Sequence, residues 1–447
     1  MRILQLLIVI GFIGFYIIIA PRIVVRRDYS TLKLLIIEIC LQNLVCIIAS
    51  NVTNKSIAQF IILYKEIVMY GGIIYYFVIV KKGKFKKIII PIATLIIVCL
   101  LFFFIGDAGI YTRFISLRQI LTPIVMILYG FTFEKSKIDN RKLLTFIVNL
   151  GMAHAIFGFV ERFILGDRFW IALHIEKYME YKGFAHWVFG RGVPGDFYSA
   201  DLYAIFGSVR RLAGIFTADP ILTAHFLAFS IVILLYVNIF ERKKNVIYLV
   251  TMTVALLLTL CKGAILIVGI AYWYRVYKQN KAVGIISVGI PIAVVIYIIT
   301  QDVFDTVSIH INGLTSSLGT EYLIGKGIGT SGNLARAFGG SSSTSGESYI
   351  GTLIGQMGIL GLLSFVFMIT SLSRQLIRGN KSRLSYAIFA YIIAVLIESF
   401  MSESAINFVG SGVAFIIFGK MVAESKELKR SARALATNTG YYPVNRG

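Results

Sequence analysis

The stretch LIGKGIGTSGNLARAFGGSSSTSGESYIGTLIGQMGILGLL, residues 323–363, joins a polar loop rich in glycine and serine to an apolar segment. The apolar segment can begin a membrane helix, and Glu347 stands at the junction. An acidic side chain costs little at the lipid–water boundary but a few kcal/mol deeper in the bilayer. We therefore predict that Glu347 is a functional group at the mouth of a membrane-embedded site.

A second junction of the same kind lies earlier in the chain, at RRLAGIFTADP, residues 210–220. It also precedes a strongly apolar segment, and it carries two arginines and Asp219. Ionisable residues beside membrane helices mark functional sites more often than chance. The two junctions together indicate a catalyst that works on the membrane surface.

The composition excludes a soluble protein. Hydrophobic residues make up 57% of the 447 residues, charged residues 15%, and the mean hydropathy is +0.81. A span needs about 20 apolar residues, and such runs recur from end to end. The sequence predicts an all-α polytopic membrane protein with about 12–13 transmembrane helices and two long periplasmic loops. We place the spans at about 3–20, 34–50, 57–80, 88–105, 115–133, 143–164, 220–240, 246–260, 262–277, 282–300, 348–371, 384–402 and 405–422.

The net charge of +22 is explained by membrane orientation rather than by binding of nucleic acid. Most Lys and Arg residues lie in short connectors, such as KKGKFKK at 81–87 and ERKKN at 241–245. Such loops stay in the cytoplasm, so alternation puts the long loops on the opposite face. The predicted order is a transmembrane bundle at 1–164, a periplasmic loop at 165–219, helices at 220–300, a periplasmic loop at 301–347, helices at 348–422 and a cytoplasmic tail at 423–447.

Cations on the predicted outer face are candidate site residues. Arg211 is the first, because a guanidinium binds phosphate through two parallel hydrogen bonds and keeps its charge. Lys262 lies in the turn CKG, and Arg336 lies among small residues of the second loop. Arg113 and Arg118 stand near the start of a span. Contact with lipid headgroups is the alternative for Arg113, Arg118, Arg210 and Lys262.

Two roles suit Asp219. Proline is favoured in the first turn of a helix, and an aspartate before it can accept hydrogen bonds from the free N–H groups. Asp219 is then only a helix cap. Alternatively, it is a carboxylate near the reacting group.

Polar residues within the spans have structural and functional interpretations. His154 and Glu161 are seven residues apart and therefore share a helix face. We expect a structural interhelix pair rather than a proton relay. The segment at 168–187, with its aromatic residues at helix-like spacing, is either a helix flat on the bilayer or an ordinary packed loop helix.

The motifs that would predict a cofactor are incomplete. GIGTSG at 327–332 matches the dinucleotide fingerprint GxGxxG, but no strand precedes it. The four cysteines include no CxxC pair, and no cluster of His, Cys and Asp suggests a metal. We predict no metal and no cofactor.

At these motifs the chain resembles the O-antigen polymerase (Wzy) family, within the superfamily of O-antigen polymerases and ligases. The matching elements are RLAGIFTADP before a span, the CKGA turn, and GKGIGTSG followed by ESYIGTLIGQMGILGLLSF. They cover roughly residues 200–370, and their order and common face make the combination more specific than any one of them. Glu347 stands where the ligase family typically has a histidine, which favours the polymerase.

The resemblance implies metal-independent transfer of oligosaccharide repeat units from undecaprenyl diphosphate at the periplasmic face of a bacterial inner membrane. Arg211, assisted by Lys262 and Arg336, would stabilise the diphosphate leaving group. Glu347 is the first candidate for the base, and Asp219 the second. A chain-length regulator and a flippase are the implied partners. An O-antigen ligase that transfers polymer to lipid A-core, and a non-enzymatic transporter or flippase, are the alternatives.

Overall fold

The computed structural model of the protein consists almost entirely of helices. It describes residues 2–80, 86–134, 138–184, 188–189, 191–199, 207–287, 314, 323–338 and 347–439. The helices are α1 Arg2–Val25, α2 Tyr29–Val52, α3 Lys55–Ile74, α4 Lys86–Ile105, α5 Ile110–Phe131, α6 Asn140–Val160, α7 Gly166–Ala172, α8 Ile175–Tyr181, α9 Pro220–Tyr236, α10 Arg242–Leu258, α11 Lys262–Gln279, α12 Asn333–Ala337, α13 Tyr349–Gly379, α14 Arg383–Glu398 and α15 Gly412–Thr439. Turns of π-helix at Tyr75–Val80 and Glu161–Leu165 extend α3 and α6.

The all-α, multi-pass membrane fold is confirmed. Within the described residues, α1, α2, α3, α5, α6 and α13 are each long and apolar enough to cross a membrane. Helices α4 and α9 are shorter apolar helices. Most of the predicted span at 282–300 and most of the predicted loop at 301–347 lie outside the described residues, so the total of 12–13 spans stays a prediction.

Short polar side chains begin several of the helices. Asp28, Asn54 and Ser382 each accept a hydrogen bond from a backbone N–H group two or three residues into the following helix. Such caps satisfy donors that a helix leaves free at its start.

The first long loop contains two short helices and two small antiparallel hairpins. Strand β1 (Val188–Phe189) pairs with β2 (Val193–Pro194), and β3 (Tyr198–Ser199) pairs with β4 (Val209–Arg210). The second hairpin sets Tyr198 opposite Arg210. It delivers the chain directly to Arg211.

The short helices α7 and α8 are packed into the protein. Trp170 is fully buried, and Tyr178 is buried and donates a hydrogen bond of 3.1 Å to Oδ1 of Asn43 in α2. For these residues of 168–187 the structure supports the packed-helix interpretation. Trp187 lies outside the described residues.

The glycine-rich loop at 323–332 lies against α4 and α13. Gly327 has a φ of +97°, and a Cβ added there would lie 2.1 Å from the Cα of Gly106. Gly358, with a φ of +63°, interrupts α13, and its Cβ would lie 2.3 Å from the carbonyl oxygen of Leu323. The GxGxxG pattern thus serves close backbone packing, since positive φ and absent side chains are what glycine supplies.

The last predicted span begins later than expected. We predicted 405–422, but α15 begins at Gly412, and Glu403–Ala405 form a 3₁₀ turn. Glu403 lies beside Gln119, whose Nε2 donates a hydrogen bond of 3.0 Å to it. Gln119 is about 14 Å along α5 from its first residue, at 1.5 Å per residue. The segment between α14 and α15 therefore dips into the helix bundle, because its carboxylate finds partners there.

Candidate functional site

Arg211 lies against the turn that joins α10 to α11. Its Nε donates a hydrogen bond of 2.7 Å to the carbonyl oxygen of Thr259, and its Nη1 donates one of 3.2 Å to the carbonyl oxygen of Asp196. Within the described residues Arg211 forms no salt bridge. A guanidinium stays protonated in proteins. Its positive charge is therefore held in place by backbone carbonyl groups, and no carboxylate of the described residues is bonded to it.

Lys262 brings a second cation to the same turn. It follows Thr259 by three residues, begins α11 and is exposed. The backbone N–H of Leu212 donates a hydrogen bond of 2.9 Å to the carbonyl oxygen of Leu258, which fixes the Arg211 segment to the end of α10. The structure thus brings Arg211 and Lys262 together at one turn.

The guanidinium of the neighbouring Arg210 has hydrogen-bond partners of a different kind. Its Nε donates a hydrogen bond of 2.9 Å to Asp167, and its Nη2 bonds to Glu161, which is fully buried. Trp170 donates a further hydrogen bond of 2.8 Å to Glu161. Arg210 is therefore an internal ion-pair residue, which disfavours the alternative of contact with lipid headgroups.

The structural pair between helices that we expected does not form at His154. Among the described residues neither ring nitrogen of His154 has a hydrogen-bond partner, and its ring packs against Phe216 and Phe226 at centroid distances of 5.1 and 4.7 Å. Glu161 instead bonds to Arg210. The sequence spacing correctly predicted that both residues lie on one continuous helix. It did not predict that Arg210, from the long loop, binds the Glu161 carboxylate.

Asp219 caps α9, as one of its two interpretations predicted. Its Oδ1 accepts hydrogen bonds of 2.8 and 3.0 Å from the N–H groups of Ile221 and Leu222, and Pro220 occupies the first helical position. Although Asp219 caps the helix, its negative charge still acts on a neighbouring group, because it raises the pKa of Asp196.

Asp196 lies among several of the predicted residues. Burial raises its pKa to about 6; the charges of Asp219 and Glu347 add to the rise, and Arg211 opposes it. Between exposed charges such effects act over about 8 Å at physiological salt, and buried charges are screened less. Arg211, Asp219 and Glu347 are therefore grouped around Asp196 at one end of the bundle.

Glu403 is a second carboxylate on which the charge of Glu347 acts. Burial raises its pKa to about 6, while hydrogen bonds from the backbone N–H of Asn333, at 2.9 Å, and from Gln119 lower it. The charge of Glu347 raises this pKa as well, and that of Arg336 lowers it. Glu347, which is half-buried, thus lies within electrostatic reach of half-buried Asp196 and buried Glu403, and exposed Arg336 joins the group.

His225 and Glu398 form a fully buried pair beneath this group. Nδ1 of His225 is 2.7 Å from the carbonyl oxygen of Ile221, and Nε2 is 2.8 and 3.0 Å from the two oxygens of Glu398. Nδ1 and Nε2 of His225 each face an oxygen atom, so each of the two contacts must contain one proton. With two protons shared between them, His225 and Glu398 together carry no net charge. A Cβ at Gly263 would lie 2.0 Å from Oε1 of Glu398, so the CKG turn needs glycine at its third position.

His225, Cys261 and Glu398 also form the one group of three potential metal ligands in the part of the chain that the structure describes. Their ligand atoms lie within 4.8 Å of one another. Nε2 of His225 is already bonded to Glu398, and burial raises the pKa of the Cys261 thiol to about 12, whereas a metal ligand must be a thiolate. The arrangement suits a hydrogen-bonded pair beside a buried thiol better than a metal centre.

Arg113 and Arg118 are committed elsewhere. Arg113 donates hydrogen bonds of 2.6 and 3.1 Å to the carbonyl oxygens of Ala108 and Phe103, where it closes the turn between α4 and α5. Arg118 donates two hydrogen bonds of 2.6 Å to Glu66. For both, the described contacts are within the protein rather than with the group around Asp196. The next residue after Arg118, Gln119, is the one that reaches Glu403.

Sequence reasoning missed four residues of this region: Asp196, His225, Glu398 and Glu403. A usable signal existed for three of them, since His225 stands in an apolar helix and the two glutamates stand where an apolar span ends. Asp196 lies in a loop with several acidic residues and no periodic pattern. Its position depends on the β3–β4 hairpin, which sequence reasoning did not predict.

Comparison with known proteins gives no match: neither a family model nor a curated protein matches the chain.

Proposed function

We propose that the protein is a membrane glycosyltransferase that joins undecaprenyl-diphosphate-linked oligosaccharide repeat units at the periplasmic face of a bacterial inner membrane. The observation that carries the proposal is the geometry of Arg211. Its guanidinium is held by the carbonyl groups of Thr259 and Asp196, with Lys262 at the same turn and no carboxylate bonded to it within the described residues. A fixed cation of this kind suits a diphosphate.

The chemistry follows from the charges. A sugar hydroxyl of one repeat unit attacks the anomeric carbon of another, the bond from that carbon to the diphosphate oxygen breaks, and the diphosphate leaves with the electron pair. Negative charge grows on the diphosphate in the transition state, so preorganised cations lower the barrier more than they strengthen substrate binding. Arg211 would contribute most, with Lys262 and Arg336 assisting.

The hydroxyl proton must pass to a base. Glu347 stays our first candidate, because it is half-buried and its charge acts on the carboxylates of both Asp196 and Glu403. Asp219 is second, since one of its oxygens already accepts two hydrogen bonds as a helix cap. A carboxylate acts as a general base where it is ionised at the working pH. No metal is assigned to the step.

A transporter or flippase is the second candidate function, and the break in α13 favours it. Gly358 has a non-helical backbone inside α13. Interrupted helices of this kind form substrate sites in many transporters. Arg211, Lys262, Asp219 and Glu347 lie at one end of the bundle, which favours surface chemistry over transport.

Surface polysaccharide from cells that carry Arg211→Ala tests the proposal. We expect lipid cores with a single repeat unit and no ladder on a gel, at normal protein level. Arg168→Ala is the matched control, because Arg168 is an exposed arginine of the same long loop, and it should leave the ladder intact.

Other outcomes of that experiment separate the alternatives. A full ladder with Arg211→Ala would contradict the proposal. Bare cores with accumulated lipid-linked polymer would indicate a ligase that transfers to lipid A-core. Loss of repeat units from the outer leaflet would indicate a flippase.

A further inference from the structure

A cleft of about 510 Å³ opens between the starts of α2 and α6. It lies at the opposite end of α6 from the loop that carries Arg211, on the face where the basic connectors of the chain are found. Basic loops mark the cytoplasmic side. The cleft therefore faces the inner leaflet, where anionic lipids contact the protein.

Three cations line this cleft: Lys33, Arg141 and Lys142. Among the described residues none of them forms a salt bridge. Asp139 is the one acid among the described lining residues, and its Oδ1 accepts hydrogen bonds of 2.8 and 3.4 Å from the N–H groups of Arg141 and Lys142 as the cap of α6. The cleft thus keeps a net positive charge.

The ring of Phe146 fixes one of the cations. Nζ of Lys33 lies 5.2 Å from the centroid of this ring, at the distance of a cation–π contact. Tyr29 also lines the cleft, and its hydroxyl lies 3.5 Å from the carbonyl oxygen of Lys142. The cations therefore surround a recess whose walls include Tyr29 and Phe146, rather than an open surface.

Below the cleft the exposed surface of α6 becomes apolar. Lys142, Asn149, Met152 and Ile156 follow one another at three, four or seven residues, so they share one helix face. Ile156 is 47% exposed. A polar mouth above an apolar track matches the headgroup and the acyl chain of a phospholipid, whereas a free phosphate ion would use the mouth alone.

We propose that this cleft binds the headgroup of an anionic phospholipid from the cytoplasmic leaflet. The phosphodiester would lie among Lys33, Arg141 and Lys142, and an acyl chain would follow Met152 and Ile156. Each Lys or Arg near an anionic surface strengthens lipid binding several-fold. This inference goes beyond the proposed function and does not depend on it.

Lipid binding to the full-length protein tests the inference. We would titrate the purified protein with phosphatidylglycerol and count bound lipids by native mass spectrometry. The variant K33Q/R141Q/K142Q should bind on the order of ten- to one hundred-fold more weakly than the wild type. R374Q/R378Q/K381Q, which removes three exposed cations from the cytoplasmic end of α13 and the residues after it, should change binding less than two-fold.

Three results would overturn the inference. The first is equal loss of phosphatidylglycerol from both variants. The second is equal retention of phosphatidylcholine, whose headgroup has no net charge. The third is displacement of the lipid by an equal concentration of inorganic phosphate, which would indicate an ion site without an acyl-chain track. Melting temperatures of both variants, which alter only exposed or half-buried residues, verify that each is folded.

Discussion

Two groups of charged side chains in this protein differ in their hydrogen-bond partners. Between α3 and α5, Arg118 donates two hydrogen bonds of 2.6 Å to Glu66, and Nζ of Lys65 lies 3.6 Å from the same carboxylate. Beside the turn from α10 to α11, Arg211 donates its hydrogen bonds to backbone carbonyl groups, including that of Thr259. In the first group the cations are paired with a carboxylate, whereas in the second no carboxylate among the described residues is bonded to Arg211.

This difference separates structural charges from charges that can bind a ligand. Removing one member of a buried pair leaves the other unpaired, so it lowers stability. Removing Arg211 leaves two carbonyl groups that each lose one partner, so it should affect stability less and ligand binding more. The predictions below test this distinction, from the largest expected change in stability to the smallest.

The largest effect is expected at the buried pair of His225 and Glu398. Replacing His225 with Leu leaves a carboxyl group buried without its partner and should lower the free energy of unfolding by about 3–5 kcal/mol. The double variant H225L/E398L should recover most of this loss, because both partners are then apolar. Melting temperatures in detergent measure both, and a single variant as stable as the wild type would show that the pair is not structural.

Gly263→Ala should have the next largest effect. The Cβ of the alanine would lie 2.0 Å from Oε1 of Glu398. Overpacking of this kind typically lowers the free energy of unfolding by about 1–3 kcal/mol. Gly269 lies on the same helix with no atom within 4 Å of an added Cβ. Gly269→Ala should therefore be neutral or stabilising by up to about 1 kcal/mol. Equal melting temperatures for the two variants would contradict the packing at the CKG turn.

Arg118→Gln tests the first of the two groups, in which Arg118 is bonded to Glu66. Glu66 loses its bidentate partner but keeps Lys65, and the side chain of Arg118 is 36% exposed, so solvent screens the pair in part. We expect a loss of about 1 kcal/mol in the free energy of unfolding and less than a two-fold change in activity. Thermal melting and the length of surface polysaccharide are the readouts. A loss of polymer at unchanged stability would move Arg118 into the site.

The smallest effect is a dependence of stability on pH. Burial raises the pKa of Asp196 from 3.8 to about 6, so between these values the folded protein binds more protons than the unfolded chain. This contribution is fully present below about pH 4 and is lost as the pH rises through about 6. Asp196→Asn should reduce the fall in melting temperature between pH 5 and pH 7. An unchanged pH profile would mean that Asp196 is solvated.

The sequence predicted the helices well because their signal is local. Runs of about 20 apolar residues and capping residues such as Asp219 depend on neighbours in the chain. The start of α15 at Gly412 was missed because Glu403 is stabilised deep in the bundle by Gln119, a residue almost 300 positions away. No local pattern contains that contact.

The candidate site was predicted in part for the same reason. Arg211 and Lys262 were found because charged residues are rare in apolar surroundings, and the structure brings them to one turn. Composition could not distinguish Arg210 from Arg211, or Arg118 from either, because the distinction depends on whether a carboxylate lies opposite each guanidinium. Partners of that kind come from distant segments.

Transfer by the purified protein tests the central claim most directly. Lipid-linked repeat units with a polyprenyl diphosphate carrier would be supplied to the wild type, to Arg211→Ala and to Arg118→Gln in nanodiscs, and the rate of chain extension would be measured. We predict that Arg211→Ala slows transfer by about 100- to 1,000-fold, the cost of removing one preorganised group that stabilises transition-state charge, with a near-normal melting temperature. Transfer by Arg211→Ala at the wild-type rate would contradict the account.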